Sequence, residues 1–199
     1  MCTIHCSLHL FVSTAEVRAR CRVEYMFVDK KCRGYLDRAG RVCNGTARVA
    51  YVANYKISHR VSIQRLITSS AKRPRSLAFF GMGIHERFDA DRVQRLVLEP
   101  VLEELKALNL PRHRLLWAAH AAPGLRKPDG TTQSYDSVVK FNRRINAFMK
   151  VWQVPIFDVF NLTDGVRSFD STHYATGVNK LIVHMLFLYL RELDILHKW

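Results

Sequence analysis

From Ser76 to the end of the chain, short apolar runs alternate with longer segments whose apolar residues recur every three or four positions. No other feature limits the choice of fold as strongly. An apolar run of four or five residues has strand length, a 3.6-residue period marks a helix with one buried face, and their repetition builds a parallel sheet covered by helices. Leu77-Ala78-Phe79-Phe80 is the first such strand and runs into the turn Gly81-Met82-Gly83. A helix is predicted from near Asp91, with Val93, Leu96, Val97, Val101, Leu105 and Leu108 at helical spacing, a kink at Pro100 and an end at Pro111. Leu115 to Ala119 is the next strand, stopping at His120 and opening a loop rich in Pro and Gly from Pro123 to Gly130. Ser134 is placed to cap a helix carrying Val138, Phe141, Ile145, Phe148, Met149 and Trp152 on one face. Val154 to Val159 reads as the last strand. The final helix, about Gly177 to His197, is apolar on most sides through Leu190 and is expected to be largely buried. The predicted architecture is α/β: a three-layer α/β/α sandwich, flavodoxin-like, around a mostly parallel sheet.

Before Ser76 the pattern is weaker, although Arg22 to Val28 and Arg48 to Ile57 both look like strands. The expected organisation is an irregular N-terminal segment over residues 1–21 followed by one domain over residues 22–199. With 199 residues, 48% of them hydrophobic and 24% charged, the chain is long enough to bury one sizeable core. No apolar run approaches the roughly 20 residues that a membrane helix needs; the longest, Leu181 to Leu190, is interrupted by His184. The stretch from Leu8 to Val12 is short, lacks a basic start and has no small-residue cleavage site, so no signal peptide is read there.

All five cysteines, Cys2, Cys6, Cys21, Cys32 and Cys43, lie in the first 43 residues. In an oxidising compartment Cys32 and Cys43 would close a short loop; in the cytosol all five would be free thiols. No Cys-x-x-Cys pair occurs, so no metal site is expected. Asn-x-Thr sequons at Asn44 and Asn161 lean toward a secretory route. The 31 Lys and Arg against 17 Asp and Glu give a formal net charge of +14, which suits anionic partners. The cations are scattered, as Lys72-Arg73-Pro74-Arg75, Arg112 with Arg114, Arg126-Lys127 and Arg143-Arg144, with no finger spacing and no aromatic RNP-type segment. Nucleic acid is therefore not the expected partner.

Chemistry concentrates in Ser168-Phe169-Asp170-Ser171-Thr172-His173-Tyr174, between the last predicted strand and the final helix. A carboxylate three residues before a histidine is placed to accept one imidazole N–H, so that the other ring nitrogen takes a proton from a nucleophilic hydroxyl. The loop that opens at His120 lies at a strand's carboxyl end, where α/β proteins place chemistry.

Asp170-Ser171-Thr172-His173-Tyr174, followed by Gly177-Val178-Asn179 and an apolar helix, resembles the last block of SGNH/GDSL-type hydrolases. Phe79-Phe80-Gly81-Met82-Gly83-Ile84-His85-Glu86 is similar to the family's block after the third strand, closest to its PC-esterase-like and glycan O-acetyltransferase-like branches. The resemblance covers residues 76–199. It implies His173 as general base, Asp170 as its orienter, and an oxyanion hole in which Gly83 offers a backbone N–H and His85 replaces the usual Asn donor. His120, at the end of the next strand, would touch substrate. The implied reaction is cleavage or transfer of an acyl ester, on a carbohydrate or another hydroxyl compound, through a serine acyl-enzyme and without a cofactor.

The family carries its nucleophile in a Gly-Asp-Ser segment, and no Gly-Asp-Ser occurs in this chain. Ser13 follows a short apolar run without that Gly and Asp; Cys21 and Cys32 have no supporting context as thiol nucleophiles. The expectation is a partial domain joined after its first strand, or else an inactive relative. The alternative function, from a different class, is a non-catalytic binding module for an anionic glycan or other polyanion.

Overall fold

The computed structural model describes Gly40–Val42, Ala47–Val49 and residues 56–124, 133–168 and 173–195. Contacts divide the chain into two units, Met1–Ala53 and Asn54–Trp199. In the first unit, strands β1 (Gly40–Val42) and β2 (Ala47–Val49) pair antiparallel, with Gly40 opposite Val49 and Val42 opposite Ala47. Of the strand expected from Arg48 to Ile57, Arg48 and Val49 belong to β2, residues 50–55 lie outside the described residues, and Ile57 opens a 3-10 turn, Ile57–His59, in the second unit. The strand expected from Arg22 to Val28, Ser13 and all five cysteines lie outside the described residues.

The turn at Ile57 leads directly into helix α1 (Arg60–Lys72), which the sequence reading did not anticipate. Its buried row Ile63, Ile67 and Ala71 repeats every four residues, enough to dock one face, while Val61 and Leu66 point to solvent. Strand β3 (Ala78–Phe80) follows. The next helical stretch is broken into α2 (Ala90–Val93), a π-turn (Gln94–Leu98) and α3 (Glu99–Ala107). The kink predicted at Pro100 takes this form. Pro100 has no N–H to continue the ladder, and Glu99 bonds back five residues to the Gln94 carbonyl. Leu108, expected on the buried face, is beyond the helix end and exposed.

Strand β4 (Leu115–Ala118), helix α4 (Tyr135–Val151), strand β5 (Ile156–Phe157), the short α5 (Phe160–Thr163) and α6 (Thr176–Ile195) complete the chain. The Ser134 hydroxyl accepts the Ser137 N–H at 3.4 Å, the expected cap of α4. The fold is α/β, with β3, β4 and β5 forming a parallel sheet in that order; Ala78 pairs with Leu115 and Trp117 with Ile156. Strand alternation splits β4 between two apolar clusters. Leu115, Trp117 and Ala119 join the residues of α1, α3 and α4, whereas Leu116 joins Phe157, Val159 and the α6 residues Ile182, Leu186, Tyr189 and Leu190.

Helix α6 departs from expectation. Only its sheet-facing side is covered, and Leu181, Met185 and Leu188 form an exposed stripe, each at least 40% accessible. A high density of apolar residues along the helix does not bury all of its sides when a single sheet face is the surface it packs on.

Candidate functional site

Parallel strands deliver their following loops to one edge of the sheet, and three candidate segments arrive there. After β3 the backbone passes so close to β4 that a Cβ at Gly81 would lie 2.7 Å from the Ala118 carbonyl oxygen. Gly83 is tighter in side-chain terms: a Cβ there would lie 2.6 Å from His120 Nε2 and 2.9 Å from Phe141 Cζ. Both glycines are therefore required by close approach. The chain then turns through Ile84–Glu86, with the Gly83 carbonyl accepting the N–H groups of Glu86 and Phe88 at 3.0 Å each. Arg87 and Phe88 are consecutive left-handed residues, φ 54° and 56°, a conformation that costs side-chain-bearing residues about 1–2 kcal/mol each.

His120 is the centre of this edge. Its N–H donates to Asn142 Oδ1 at 3.0 Å and its carbonyl accepts from Asn142 Nδ2 at 2.7 Å, so one buried amide on α4 fixes the residue's backbone from both sides. The imidazole sits edge-on to Phe88 and Phe141, with centroids 4.9 and 5.4 Å away. One ring nitrogen donates to the Met82 carbonyl; Nε2 is buried without a partner. Burial pushes the His120 pKa below the ordinary histidine value, outweighing the Met82 bond, so the ring is neutral near pH 7. Beside it lies a cavity of about 70 Å³, lined by Ile84, Phe88, His120, Ala122, Pro123 and Val138 among others. Gln133 also lines it, so the wall sets two polar side chains, His120 and Gln133, in an otherwise apolar surround, a size suited to a short group.

The third segment, after β5, is locked onto the β4 loop. Thr163 Oγ1 accepts the Ala122 N–H at 2.9 Å, and the buried Tyr174 hydroxyl bonds to the Ala122 and Thr163 carbonyls. Ser168 bridges Tyr174 antiparallel, and a Cβ on Gly124 would collide with the Ser168 side chain. Thus the backbone flanking His173 is tied two residues from His120. His173 itself is half-buried.

The structure brings Gly83 and His120 into contact and anchors the neighbour of His173 to the His120 loop. It does not put His85 in the cavity wall: the residue is exposed on the 3-10 turn. Asp170 lies outside the described residues. Two site residues escaped the sequence reading. Asn142 falls within the stripe Val138, Phe141, Ile145 and Met149, and a polar residue inside an apolar stripe was the available signal. Tyr174 stood next to the histidine, yet nothing local revealed that its hydroxyl would span two other segments. Among the described residues no three His, Cys, Asp or Glu side chains converge to hold a metal. Nor is any described helix long and apolar enough to cross a membrane. Compared with known proteins, the chain matches no family model, no curated protein and no solved structure.

Proposed function

We propose that this chain is the base-bearing part of an SGNH-type esterase or O-acyltransferase-like domain, a three-layer α/β/α sandwich acting on an acyl ester of a carbohydrate or another hydroxyl compound. The observation that carries the reading is the attachment of Tyr174 to Ala122, which joins the segment of His173 to the loop of His120 at the carboxyl edge of a parallel sheet. In the proposed reaction His173 accepts the proton of a serine hydroxyl as that oxygen bonds to the acyl carbon, with Asp170 holding the other ring N–H. The carbonyl electrons move to an oxyanion that the Gly83 turn would face. As the tetrahedral intermediate collapses, His173 returns the proton to the departing alkoxide. A water, or a second hydroxyl in the transferase case, then releases the acyl group by the same steps in reverse. His120 and the cavity beside it would receive a short acyl chain. Because no Gly-Asp-Ser segment occurs, the nucleophile is the part of the site for which the chain offers no family-type residue.

The test is hydrolysis of a chromogenic acetyl ester by the protein and by His173→Ala. The expected result is turnover that falls by about 10²- to 10⁴-fold in the variant. Equal turnover in both forms removes His173 from the reaction. Absence of turnover in both sinks the enzymatic reading for this chain.

A further inference from the structure

Three connections enter the parallel strands at the amino edge, opposite the candidate site. With the last turns of the helices that precede them, residues 72–77, 106–114 and 150–155 hold Lys72, Arg73, Arg75, Lys106, Arg112 and Arg114, plus Lys150, and no Asp or Glu. Side chains join these connections into one corner. Arg114 Nη1 donates to the carbonyls of Ala71 and Arg73, both at 2.9 Å, and the Arg112 guanidinium lies 5.9 Å from the centroid of the Trp152 ring. His113 registers the local field: burial first, then the Arg114 charge, holds its pKa below the ordinary value.

Part of this charge serves the fold. Lys72, Lys106 and Lys150 occupy last turns, where a cation meets the negative end of the helix dipole, and Arg114 is a clamp between α1 and β4. Arg73 also ties down the end of α1, its Nε donating to the Ser69 carbonyl at 3.3 Å, which leaves its terminal guanidinium nitrogens together with Arg75 and Arg112. Arg73 and Arg75 are exposed, and Arg75 is held left-handed at φ 57°. None of the three meets a carboxylate among the described residues, whose ion pairs, Arg92 with Glu86 and Arg144 with Asp91, lie elsewhere.

We propose that this corner, built on Arg73, Arg75 and Arg112, is a binding site for a sulfated glycan. Guanidinium forks match the paired oxygens of a sulfate ester, and the Arg114 bonds and the Arg112–Trp152 contact bring the three cation-bearing connections together. Nucleic acid is disfavoured because the aromatic there, Trp152, already lies under Arg112, leaving no platform for stacked bases. The site does not depend on the esterase reading; it stands whether or not His173 is a base.

The test is titration of the full chain with a heparin hexasaccharide over a series of salt concentrations, comparing two triple variants that each remove three charges. Arg73→Ala with Arg75→Ala and Arg112→Ala is expected to weaken binding about tenfold or more near 0.15 M salt and to lower the log–log salt slope by about two to three. Arg65→Ala with Lys140→Ala and Arg143→Ala, on exposed helix faces, is expected to stay within about twofold. Equal losses in both triples overturn the site in favour of diffuse charge. Tighter binding of an RNA oligonucleotide of matched charge overturns the glycan assignment, and no binding near 0.15 M salt overturns both. Should thermal unfolding show the site triple destabilised, Arg75→Ala alone carries the test, with a loss of about threefold expected.

Discussion

The two edges of the parallel sheet are built from the same repeating unit and differ in almost every chemical respect. At the carboxyl edge Gly83, His120, Asn142, Thr163 and Tyr174 are buried or half-buried and bonded across segments far apart in sequence. At the amino edge the connections are short, basic and largely solvated. Topology supplies part of the contrast. Helices α1, α3 and α4 each end where the next strand begins, so their electronegative ends gather at the amino edge and recruit lysines there. At the opposite edge α4 starts, with Ser134 as cap and Asp136 in its first turn. Charge polarity along the strands is thus partly a by-product of the fold, and only what exceeds it bears on function. The excess at one edge is Arg73, Arg75 and Arg112; at the other it is a neutral histidine beside a small cavity and a strained turn.

Gly83→Ala breaks the carboxyl edge most directly. The new methyl would meet His120 Nε2 and the Phe141 ring below 3.0 Å, and neither can retreat: Asn142 holds the His120 backbone and Phe141 is fully buried. Destabilisation of about 2–3 kcal/mol is expected from denaturant unfolding, with acetyl-esterase turnover, if present, lost alongside it. A loss under about 0.5 kcal/mol would mean that the contact between the two loops is loose, and with it the site.

His120 tests the same edge by pH. Its pKa is lowered in the folded protein, so the unfolded chain binds the proton more readily. Stability is then fully present above the ordinary value of about 6.5 and is lost as pH falls below it toward the folded value. His113 acts in the same direction, so the comparison needed is between proteins rather than between pH values alone. From about pH 7.5 to about pH 5, His120→Phe should lose less stability than the unsubstituted protein. Identical pH slopes would show that the ring titrates alike in the folded and unfolded chain and is not held neutral by burial.

What the sequence disclosed follows from how local each signal is. Strands β3 and β4 and helix α4 were legible because their apolar periods are unbroken and Ser134 stands at the cap position. Helix α1 was hidden because Val61 and Leu66 blur a buried row of only three residues. Strand β5 came out at two residues rather than six, since Pro155 has no N–H and Asp158 turns the chain by accepting the Phe160 N–H at 2.9 Å. In the site, position at a strand's end pointed to His120, while Gly83 was marked by the resemblance of its block to the family's. The resemblance also implied His85, which the 3-10 turn leaves exposed. Contacts such as Tyr174 with Ala122, 52 residues apart, have no local signature.

The helix ends at the amino edge lack glycine, their usual marker, and the one that was signalled, by Pro111, comes earlier, at Ala107. Both α3 and α4 finish in a Schellman motif: Leu110 N–H returns to the Leu105 carbonyl at 2.8 Å and Val154 N–H to that of Met149 at 3.0 Å. The left-handed positions are Asn109, φ 50°, and Gln153, φ 58°. Asparagine tolerates that conformation; glutamine has no local bond to compensate it. Gln153→Gly should therefore stabilise the protein by about 0.5–1 kcal/mol, the relief of the left-handed side chain exceeding the added freedom of the unfolded chain. Asn109→Gly should do less, and neither should alter heparin binding, since neither side chain carries a charge. If Gln153→Gly instead destabilises the fold, the side chain has a role at that edge beyond terminating α4, and the view of the amino edge as simple helix ends decorated with arginines fails at its third connection.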